Sequence, residues 1–299
     1  MIRFASLSLV LSAAFTTAVA QTKTAARPVF NSGAPLVSPS APVILFESNR
    51  SGRNLLYIMN ADGSGQRQLT PSNVDVSGAQ WLPGGKSVVY STTEGDESTV
   101  YELWPDSGQT RMLRKFPGRS PRYSPARDYV LYYVGPWASA HLVRADPRGL
   151  DPRQITDNSA AVWLGAWSPD GRQIAYTVSA RNGMSIWVMN FDGSDQHQVT
   201  HLTPQQGSAQ MPAWSPDGQQ LAFQANATTP RRKATLWIVD LRTRGAREVL
   251  PHDNAYSDET PSWFSDGKRL AFQSNRSGRT EVWAVNTDNS DLQQLTGRR

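Results

Sequence analysis

Short runs of apolar residues, separated by turn-forming residues, make up most of the chain after residue 35. Two of these runs, Leu221–Phe223 and Leu236–Val239, contain no polar residue. A strand with one solvated face alternates apolar and polar residues, so unbroken runs predict strands that are covered on both faces. The segment from Ser215 to Gly218 reads Ser-Pro-Asp-Gly, and its last three residues each favour a tight turn. The pattern therefore predicts antiparallel strands joined by hairpins.

This pattern recurs at intervals of roughly 40 to 50 residues, which is typical of a repeat architecture. In its clearest copy, Trp167 and a Ser-Pro-Asp-Gly turn precede an apolar strand, and a second apolar strand ends at Asn190 before an Asp-Gly-Ser turn. The second and third copies are less regular, and the first has lost the tryptophan. The six copies begin at Pro35, Gln80, Arg122, Ala166, Ala213 and Ser262.

Each copy predicts four strands, and a four-stranded sheet that is apolar on both sides has to be covered by its neighbours. Sheets that twist and cover one another in this way close into a ring. We therefore predict an all-β fold, a six-bladed β-propeller of four-stranded antiparallel blades, over residues 35–299. Residues 35–38 supply the first strand of the first blade, so the ring is expected to close without exchange of a strand between its ends.

Tryptophans recur at two positions of the repeat. Those that end the first strand, before its turn, are expected to act as wedges between blades, and those of the third strand are expected to pack in the core. They are Trp167, Trp214 and Trp263 at the first position, and Trp187, Trp237 and Trp283 at the second.

The order Trp-Ser-Pro-Asp-Gly, apolar strand, Ile-Trp-Val-x-Asn, Asp-Gly-Ser and Gln-Leu-Thr resembles the TolB-type propeller repeat (PD40), a relative of the WD40 repeat. The resemblance covers residues 35 to 296 and implies the propeller fold. It also implies a periplasmic protein whose partner is a peptidoglycan-associated lipoprotein of the cell envelope. The separate α/β N-terminal domain of that family has no expected counterpart here, and the repeated residues are scaffold, so they do not define an activity.

The first 20 residues have the features of a cleavable signal peptide: Arg3, an apolar stretch to Phe15, and the small-residue pattern Ala18-Val-Ala20. Serines interrupt the apolar stretch, which is short for a membrane span, so cleavage is favoured over a retained anchor. Residues 21–34 are predicted to form a flexible leader. The expected location is periplasmic or secreted, with no transmembrane segment after cleavage.

Composition narrows the choice of ligand. The net charge is +5 and the sequence pI is about 9.6, but the charges are scattered, and no aromatic residues alternate with the basic stretch Arg231–Lys233. A nucleic-acid partner is therefore not expected. The absence of cysteine excludes disulfides, thiolate metal sites and cysteine nucleophiles. No cofactor is predicted, and the protein is expected to be a monomer.

Function is expected where the repeats differ. In a propeller the turns after the first and third strands lie at one end, here called the turn face. The loops after the second strands and the links between blades lie at the other end, here called the link face, and their sequences vary most. The binding candidates assigned to those links are Asp75, Arg119, Trp163, Asp258 and Glu259, with Trp137 and Arg231–Lys233 further out.

No catalytic motif accompanies the repeats: a G-x-S-x-G elbow, an H-E-x-x-H motif and a glycine-rich phosphate loop are all absent. The Asp-Gly-Ser turns fit hairpin chemistry better than calcium loops, because the terminal glutamate ligand is missing. We therefore predict a non-enzymatic protein with no catalytic and no metal-ligating residues. The alternative is a calcium-dependent hydrolase similar to six-bladed lactonases, with axial ligands among Asp75, Asp157, Asn158, Asp253, Asn254, Asp258 and Glu259.

Overall fold

The computed structural model describes residues 32–297 except 158, 181–182, 204–205, 227–232 and 252–254. Six four-stranded antiparallel sheets, each formed by four consecutive strands, are arranged as the six blades of a β-propeller. The predicted fold class is confirmed. The signal peptide lies outside the described residues, as does the leader up to residue 31. In the described part of the chain, no helix is long and apolar enough to cross a membrane.

Blades one to three are the less regular half of the ring, and a short 3-10 turn at Trp137–Ser139 lies in blade three. Their strands are β1 (Ser32–Val37), β2 (Val43–Ser48), β3 (Leu55–Asn60), β4 (Arg67–Gln68), β5 (Ser77–Trp81), β6 (Val88–Glu94), β7 (Glu97–Leu103), β8 (Thr110–Phe116), β9 (Arg119–Tyr123), β10 (Val130–Val134), β11 (His141–Ala145) and β12 (Arg153–Gln154).

Blades four to six contain the clearest repeats. Their strands are β13 (Ala161–Trp167), β14 (Gln173–Ala180), β15 (Gly183–Asn190), β16 (His197–Gln198), β17 (Ser208–Trp214), β18 (Gln220–Asn226), β19 (Thr235–Asp240), β20 (Ala246–Glu248), β21 (Asp258–Trp263), β22 (Arg269–Ser274), β23 (Glu281–Asn286) and β24 (Gln293–Gln294).

The apolar core lies between the blades. Six hydrophobic clusters are found, and each joins one blade to the next, for example Ile186 of blade four with Phe223 of blade five. The cluster between blades six and one, which contains Phe46 and Val282, is built in the same way as the others. This explains the unbroken apolar runs, because the two faces of an inner strand contribute to two different clusters.

The first-strand tryptophans are wedges between blades, as predicted. Trp167, Trp214 and Trp263 are buried, and each indole Nε1 donates a hydrogen bond to a first-strand carbonyl of the preceding blade at 3.0 to 3.1 Å. Trp81 does the same toward Leu36 at 2.9 Å. Burial of the ring and satisfaction of its one polar atom therefore join neighbouring blades at the same level around the ring. Of the third-strand tryptophans, Trp237 is buried, and Trp187 and Trp283 pack at the edges of clusters.

The ring closes without strand exchange, as predicted, because β1 pairs with β2 of its own blade. The strand begins at Ser32, which is earlier than the predicted start at residue 35. The Ser32 amide donates to the carbonyl of Thr280 at 2.9 Å, and the Val37 amide donates to Ser262 Oγ at 3.0 Å. These contacts to blade six hold residues 32–34 in the fold, where the sequence predicts a flexible leader.

The first strand of every blade contains a break in register near the channel. Among the described residues, five of these breaks contain a residue in the left-handed region; a proline follows that residue in four blades, and Ala79 follows it in the fifth. The residues with positive φ are Ala34, Gly78, Ser120, Met211 and Thr260. A bulge of this kind bends the strand without ending it.

The bulges correct the predicted links. The sequence places the links between blades at residues 71–80, 116–121, 157–165, 201–211 and 251–261, whereas the strands begin before the end of each of these links, on the N-terminal side of the bulge. Of the five binding candidates, only Asp75 lies in a link. The other four lie in first strands: Arg119 in β9, Trp163 in β13, and Asp258 and Glu259 in β21.

Candidate binding site at the channel mouth

The residue before each bulge occupies the same position in all six blades, at the link-face end of the first strand. Pairing with the second strand fixes this equivalence, since Arg119 lies opposite Tyr133, Trp163 opposite Thr177, and Glu259 opposite Gln273. We call these six positions the mouth ring, and no two of them hold the same residue type. The mouth ring consists of Gly33, Ser77, Arg119, Trp163, Gln210 and Glu259.

Three of the predicted candidates, Arg119, Trp137 and Trp163, meet in one cluster with one further aromatic residue, Tyr133. The guanidinium carbon of Arg119 lies 4.9 Å from the ring centroid of Trp137 and 5.8 Å from that of Tyr133. Trp163 meets Trp137 edge-on at 6.4 Å, and its Nε1 donates to the Trp137 carbonyl at 3.0 Å. We call Arg119, Tyr133, Trp137 and Trp163 the aromatic cluster.

Arg119 is held in place by its own blade and by the loop of blade two. Its Nη2 donates to the Gly135 carbonyl and lies 3.4 Å from a carboxylate oxygen of the exposed Asp96. The Nε atom is buried and has no hydrogen-bond partner among the described residues. An arginine packed between aromatic rings keeps its charge while its hydration shell is reduced, which strengthens its interaction with an anion or a ring.

Trp137 is the exposed member of the aromatic cluster, with 56% of its surface accessible. It lies in the loop after the second strand of blade three, which turns at Gly135 with a φ of +93°. Large aromatic side chains with open surface and a neighbouring arginine are the commonest energetic anchors of protein interfaces. The cluster therefore has the chemistry of a binding surface, whereas the wedge tryptophans Trp167, Trp214 and Trp263 are buried.

Asp75 lies apart from the aromatic cluster and has a local role. Its carboxylate accepts a hydrogen bond from Nη1 of Arg53 at 2.8 Å and from the Asn54 amide at 3.1 Å. Both carboxylate oxygens are therefore engaged with the loop of blade one. The residue is exposed, so this ion pair contributes little stability.

Asp258 and Glu259 also have partners within their own blade. Asp258 accepts a hydrogen bond from Nη2 of Arg276 at 2.5 Å, and Glu259 accepts one from Nε2 of Gln273 at 2.8 Å. Blade six lies opposite blade three in a ring of six, so Glu259 and Arg119 place opposite charges on opposite sides of the mouth. The structure thus groups Arg119 with Trp163 and leaves the three acidic candidates separate from them.

The residues proposed for an axial calcium ion do not form a cluster in the described part of the chain. There, no group of three or more histidine, aspartate or glutamate side chains is placed to hold a metal ion. Asp157 accepts hydrogen bonds from the amide and hydroxyl of Ser159. Asn158, Asp253 and Asn254 lie outside the described residues, as do Arg231 and Arg232 of the basic stretch, whose Lys233 is exposed.

Two channel residues, Glu47 and Arg122, are absent from the sequence-based candidates. Burial raises the pKa of the Glu47 carboxyl above its usual value, against the hydrogen bond from Asn54 and the charge of Arg122. Burial also lowers the pKa of the Arg122 guanidinium, against the attraction of the Glu47 carboxylate. Comparison of the repeats column by column would have found Arg122, because it aligns with Ala166 and Ala213 in the clearest copies.

Similar proteins share this architecture. An uncharacterized protein of Agrobacterium fabrum is 23% identical over 167 residues, which is 52% of this chain and 57% of that protein. TolB from Acinetobacter baumannii superposes with a TM-score of 0.69 at 18% identity, covering 89% of this chain and 63% of that one. A puromycin-hydrolyzing peptidase of Mycobacterium tuberculosis superposes with a TM-score of 0.62 at 11% identity, covering 90% and 53%.

These similarities differ in what they establish. The chain spans less than two thirds of the length of each of these proteins, and the superpositions at this identity show the fold alone. The family model described as "TolB beta propeller domain" matches residues 134–298, which is more than half of the 299 residues. The strand order, the repeated turns and this match lead to one conclusion: the chain belongs to the family of TolB beta propeller domains.

Proposed function

We propose that this chain is an exported, non-enzymatic propeller that binds a protein partner through its link face, with the aromatic cluster as anchor. The observation that supports the proposal is the placement of Trp137 and Trp163 beside Arg119, outside the repeated positions and at the channel mouth. Tryptophan and arginine are the residue types that most often dominate binding energy when a partner covers them.

Partner binding is tested with three substitutions made together, Arg119→Ala, Trp137→Ala and Trp163→Ala. The matched control is Leu150→Ala, because Leu150 is exposed on the turn face. Each protein is used to capture partners from an envelope extract, and captured proteins are then titrated in purified form. We expect a partner that binds the wild type and the control but binds the triple variant at least about 100-fold more weakly. Equal affinity for all three proteins would contradict the proposal.

By the family resemblance, an envelope lipoprotein is the first partner to titrate. Location in the periplasm or outside the cell is part of the proposal and has its own test. Cells are fractionated, and the N-terminus of the recovered protein is determined by mass spectrometry. We expect a mature chain that begins at Gln21 in the periplasmic or extracellular fraction. A chain that begins at Met1 in the cytosol would contradict export.

The enzymatic alternative is tested on metal-stripped protein by calorimetric titration with calcium. Extracellular calcium modules bind the ion with dissociation constants of about 0.1 to 1 mM. Binding at or below this range, lost when Asp258 and Glu259 are replaced by the matching amides, would support an axial metal site and weaken the proposal. Absence of binding would remove the lactonase-like alternative and leave the partner-binding proposal unchanged.

A further inference from the structure

Arg122 differs from every residue at its position in the other blades. This position lies two residues after the residue at the bulge, and its residue pairs with the second strand, as Arg122 pairs with Leu131. None of the five equivalents is charged, and two of them, Gln80 and Ser262, hydrogen-bond to the backbone of the following blade. The equivalents are Leu36, Gln80, Ala166, Ala213 and Ser262.

The Arg122 side chain extends toward the preceding blade, whereas Gln80 and Ser262 contact the following one. A Cβ atom at Gly78 would lie 2.8 Å from Nη1 of Arg122, so the missing side chain makes room for the guanidinium. Gly78 has a φ of +65°, and the equivalent positions of the other described bulges carry side chains. The glycine therefore serves both the bulge and the approach of the arginine.

The guanidinium is poorly paired for a group inside a protein. It has five N–H donors, and its one hydrogen bond within the described residues is from Nη1 to the Pro121 carbonyl of its own strand at 3.3 Å. No carboxylate oxygen of the described residues lies within 4.0 Å of it. Arg122 is of intermediate exposure, so part of the residue remains in contact with solvent.

Glu47 balances this charge only at a distance. Its carboxylate already accepts hydrogen bonds from Asn54 Nδ2 at 2.7 Å and from the Gly78 amide. The attraction between Glu47 and Arg122 is therefore through space, and burial is the largest influence on both groups. Because arginine stays protonated in proteins, its desolvation is relieved by an acceptor and not by loss of a proton.

We propose that Arg122, with the hydroxyl groups of Ser120 and Tyr133, forms a binding site for a single carboxylate in the channel of blade three. The two hydroxyl groups hydrogen-bond to each other at 3.1 Å, and both residues line with Arg122 a cavity of about 20 Å³, which has room for one carboxylate oxygen while the rest of the ligand would lie in the channel. A guanidinium matches the two oxygens of a carboxylate, and a hydroxyl group can donate to either. The nearby charge of Glu47 disfavours a dianion such as phosphate. The site does not depend on the proposed partner.

The test is a titration of the purified protein with propionate, followed by NMR, with propionamide as the neutral control. We expect millimolar binding of propionate, and weaker binding of propionamide and of inorganic phosphate. Arg122→Gln is expected to weaken propionate binding by about tenfold or more, because hydrogen bonds to charged groups are lost. Arg153→Gln is the matched control, since Arg153 is exposed on the turn face.

A second variant gives a change of opposite sign. Glu47→Gln keeps an acceptor for the Gly78 amide, as glutamine does at the equivalent positions of blades five and six. Removal of the negative charge is expected to strengthen propionate binding by about threefold. If Arg122→Gln does not fold, Arg122→Lys keeps the charge but loses the planar fork, and we expect it to bind propionate at least about threefold more weakly.

The carboxylate could belong to a small molecule or to a protein segment, and two peptide arms separate these sources. A short apolar peptide with a free C-terminal carboxylate is compared with its amidated form, on the wild type and on Trp137→Ala. A protein segment is indicated if the free peptide binds tighter than propionate and Trp137→Ala removes that gain. A small molecule is indicated if the two bind alike and Trp137→Ala has no effect.

The proposal is overturned if propionate binds the Arg122→Gln protein as tightly as the wild type. It is also overturned if propionate and propionamide bind alike, or if Glu47→Gln weakens binding. None of these three results would affect the partner-binding proposal, which is tested by the triple substitution in the aromatic cluster. Loss of partner binding by that triple variant with no effect on propionate would leave both proposals intact.

Discussion

The two ends of the propeller are built on opposite principles. On the turn face the same hydrogen bonds recur, with Asp62, Asp192 and Asp288 each accepting from the amide and hydroxyl of a serine two residues later. On the link face the six positions of the mouth ring hold six residue types, and their partners differ from blade to blade. The repeated end determines the fold, and the end that does not repeat is free to acquire a ligand.

The same contrast separates two kinds of tryptophan. Trp214 is buried, and its Nε1 donates to the Ala166 carbonyl of the preceding blade at 3.0 Å. Trp137 is exposed and lies on the guanidinium of Arg119. Residue type alone therefore does not identify a site, and position within the repeat does.

The largest effect is expected from removal of a wedge. Trp214→Ala leaves a cavity between blades four and five and an unpaired carbonyl, so we expect the free energy of unfolding to fall by about 3–5 kcal/mol. Trp137→Ala is the control and is expected to change it by less than about 0.5 kcal/mol. Urea unfolding followed by circular dichroism measures both values. Similar losses in the two variants would contradict the distinction between wedge and surface tryptophans.

A medium effect is expected from the side chains that connect blades beside the channel. The Gln224 side chain accepts from the Thr260 amide at 3.0 Å, and Gln273 accepts from the Ala34 amide at the same distance. Gln224→Leu leaves the part-buried Thr260 amide without its acceptor, so we expect a loss of about 1–3 kcal/mol in the free energy of unfolding. Gln224→Glu keeps an acceptor for this amide, as Glu47 does for the Gly78 amide. At low pH we therefore expect it to lose less free energy of unfolding than Gln224→Leu. Equal losses at low pH would show that the hydrogen bond is not the cause.

The smallest expected effects are changes in the pH dependence of stability, and they have opposite signs at Asp217 and Glu47. The Ser215 hydroxyl holds the pKa of Asp217 on the turn face below its usual value, whereas burial holds that of Glu47 above it. A lowered pKa gives stability above the unfolded-state value of about 4 that is lost as the pH falls. A raised pKa gives stability at low pH that is lost as the pH rises through the folded-state value.

Asp217→Asn should therefore lower the melting temperature at neutral pH but less near pH 3, and Glu47→Gln should raise it at neutral pH and not at low pH. Each shift is expected to be about 2 °C. Thermal unfolding across this pH range checks both. The raised pKa of Glu47 already includes the attraction of Arg122, so a lower melting temperature for Glu47→Gln at neutral pH would contradict its assignment.

The fold was predictable because the same sequence signals occur in every blade. Versions of the same turn, apolar strands and, in most copies, a first-strand aromatic residue recur at intervals of roughly 40 to 50 residues, so weak local signals add up over six copies. The limits of the first strands were not predictable. Pro121 and Pro261 favour loops when considered alone, and only the bulge before them lets a strand continue past a proline.

The candidate site was predictable only in part. Arg119, Trp137 and Trp163 follow from the rule that function lies where repeats differ. The approach of Trp137 to Trp163 depends on the three-dimensional packing of blades three and four. Glu47 and Arg122 were missed because they lie in the less regular copies of the repeat. A charged residue there is easily taken for ordinary divergence from the repeat pattern. Their closeness arises from the curvature of the ring, which brings blade one toward blade three.

Because β1 pairs within its own blade, no sheet is shared between the ends of the chain, and every blade is a self-contained module. Exchange of one blade between two members of the family would break no sheet. It would also transfer the one residue of the mouth ring that this blade contributes. Chimaeras in which blade three of this chain replaces its counterpart elsewhere would therefore transplant Arg119, Arg122 and Trp137 as a unit. In such a scaffold, evolution or a protein engineer can vary recognition one sector at a time while the ring stays closed.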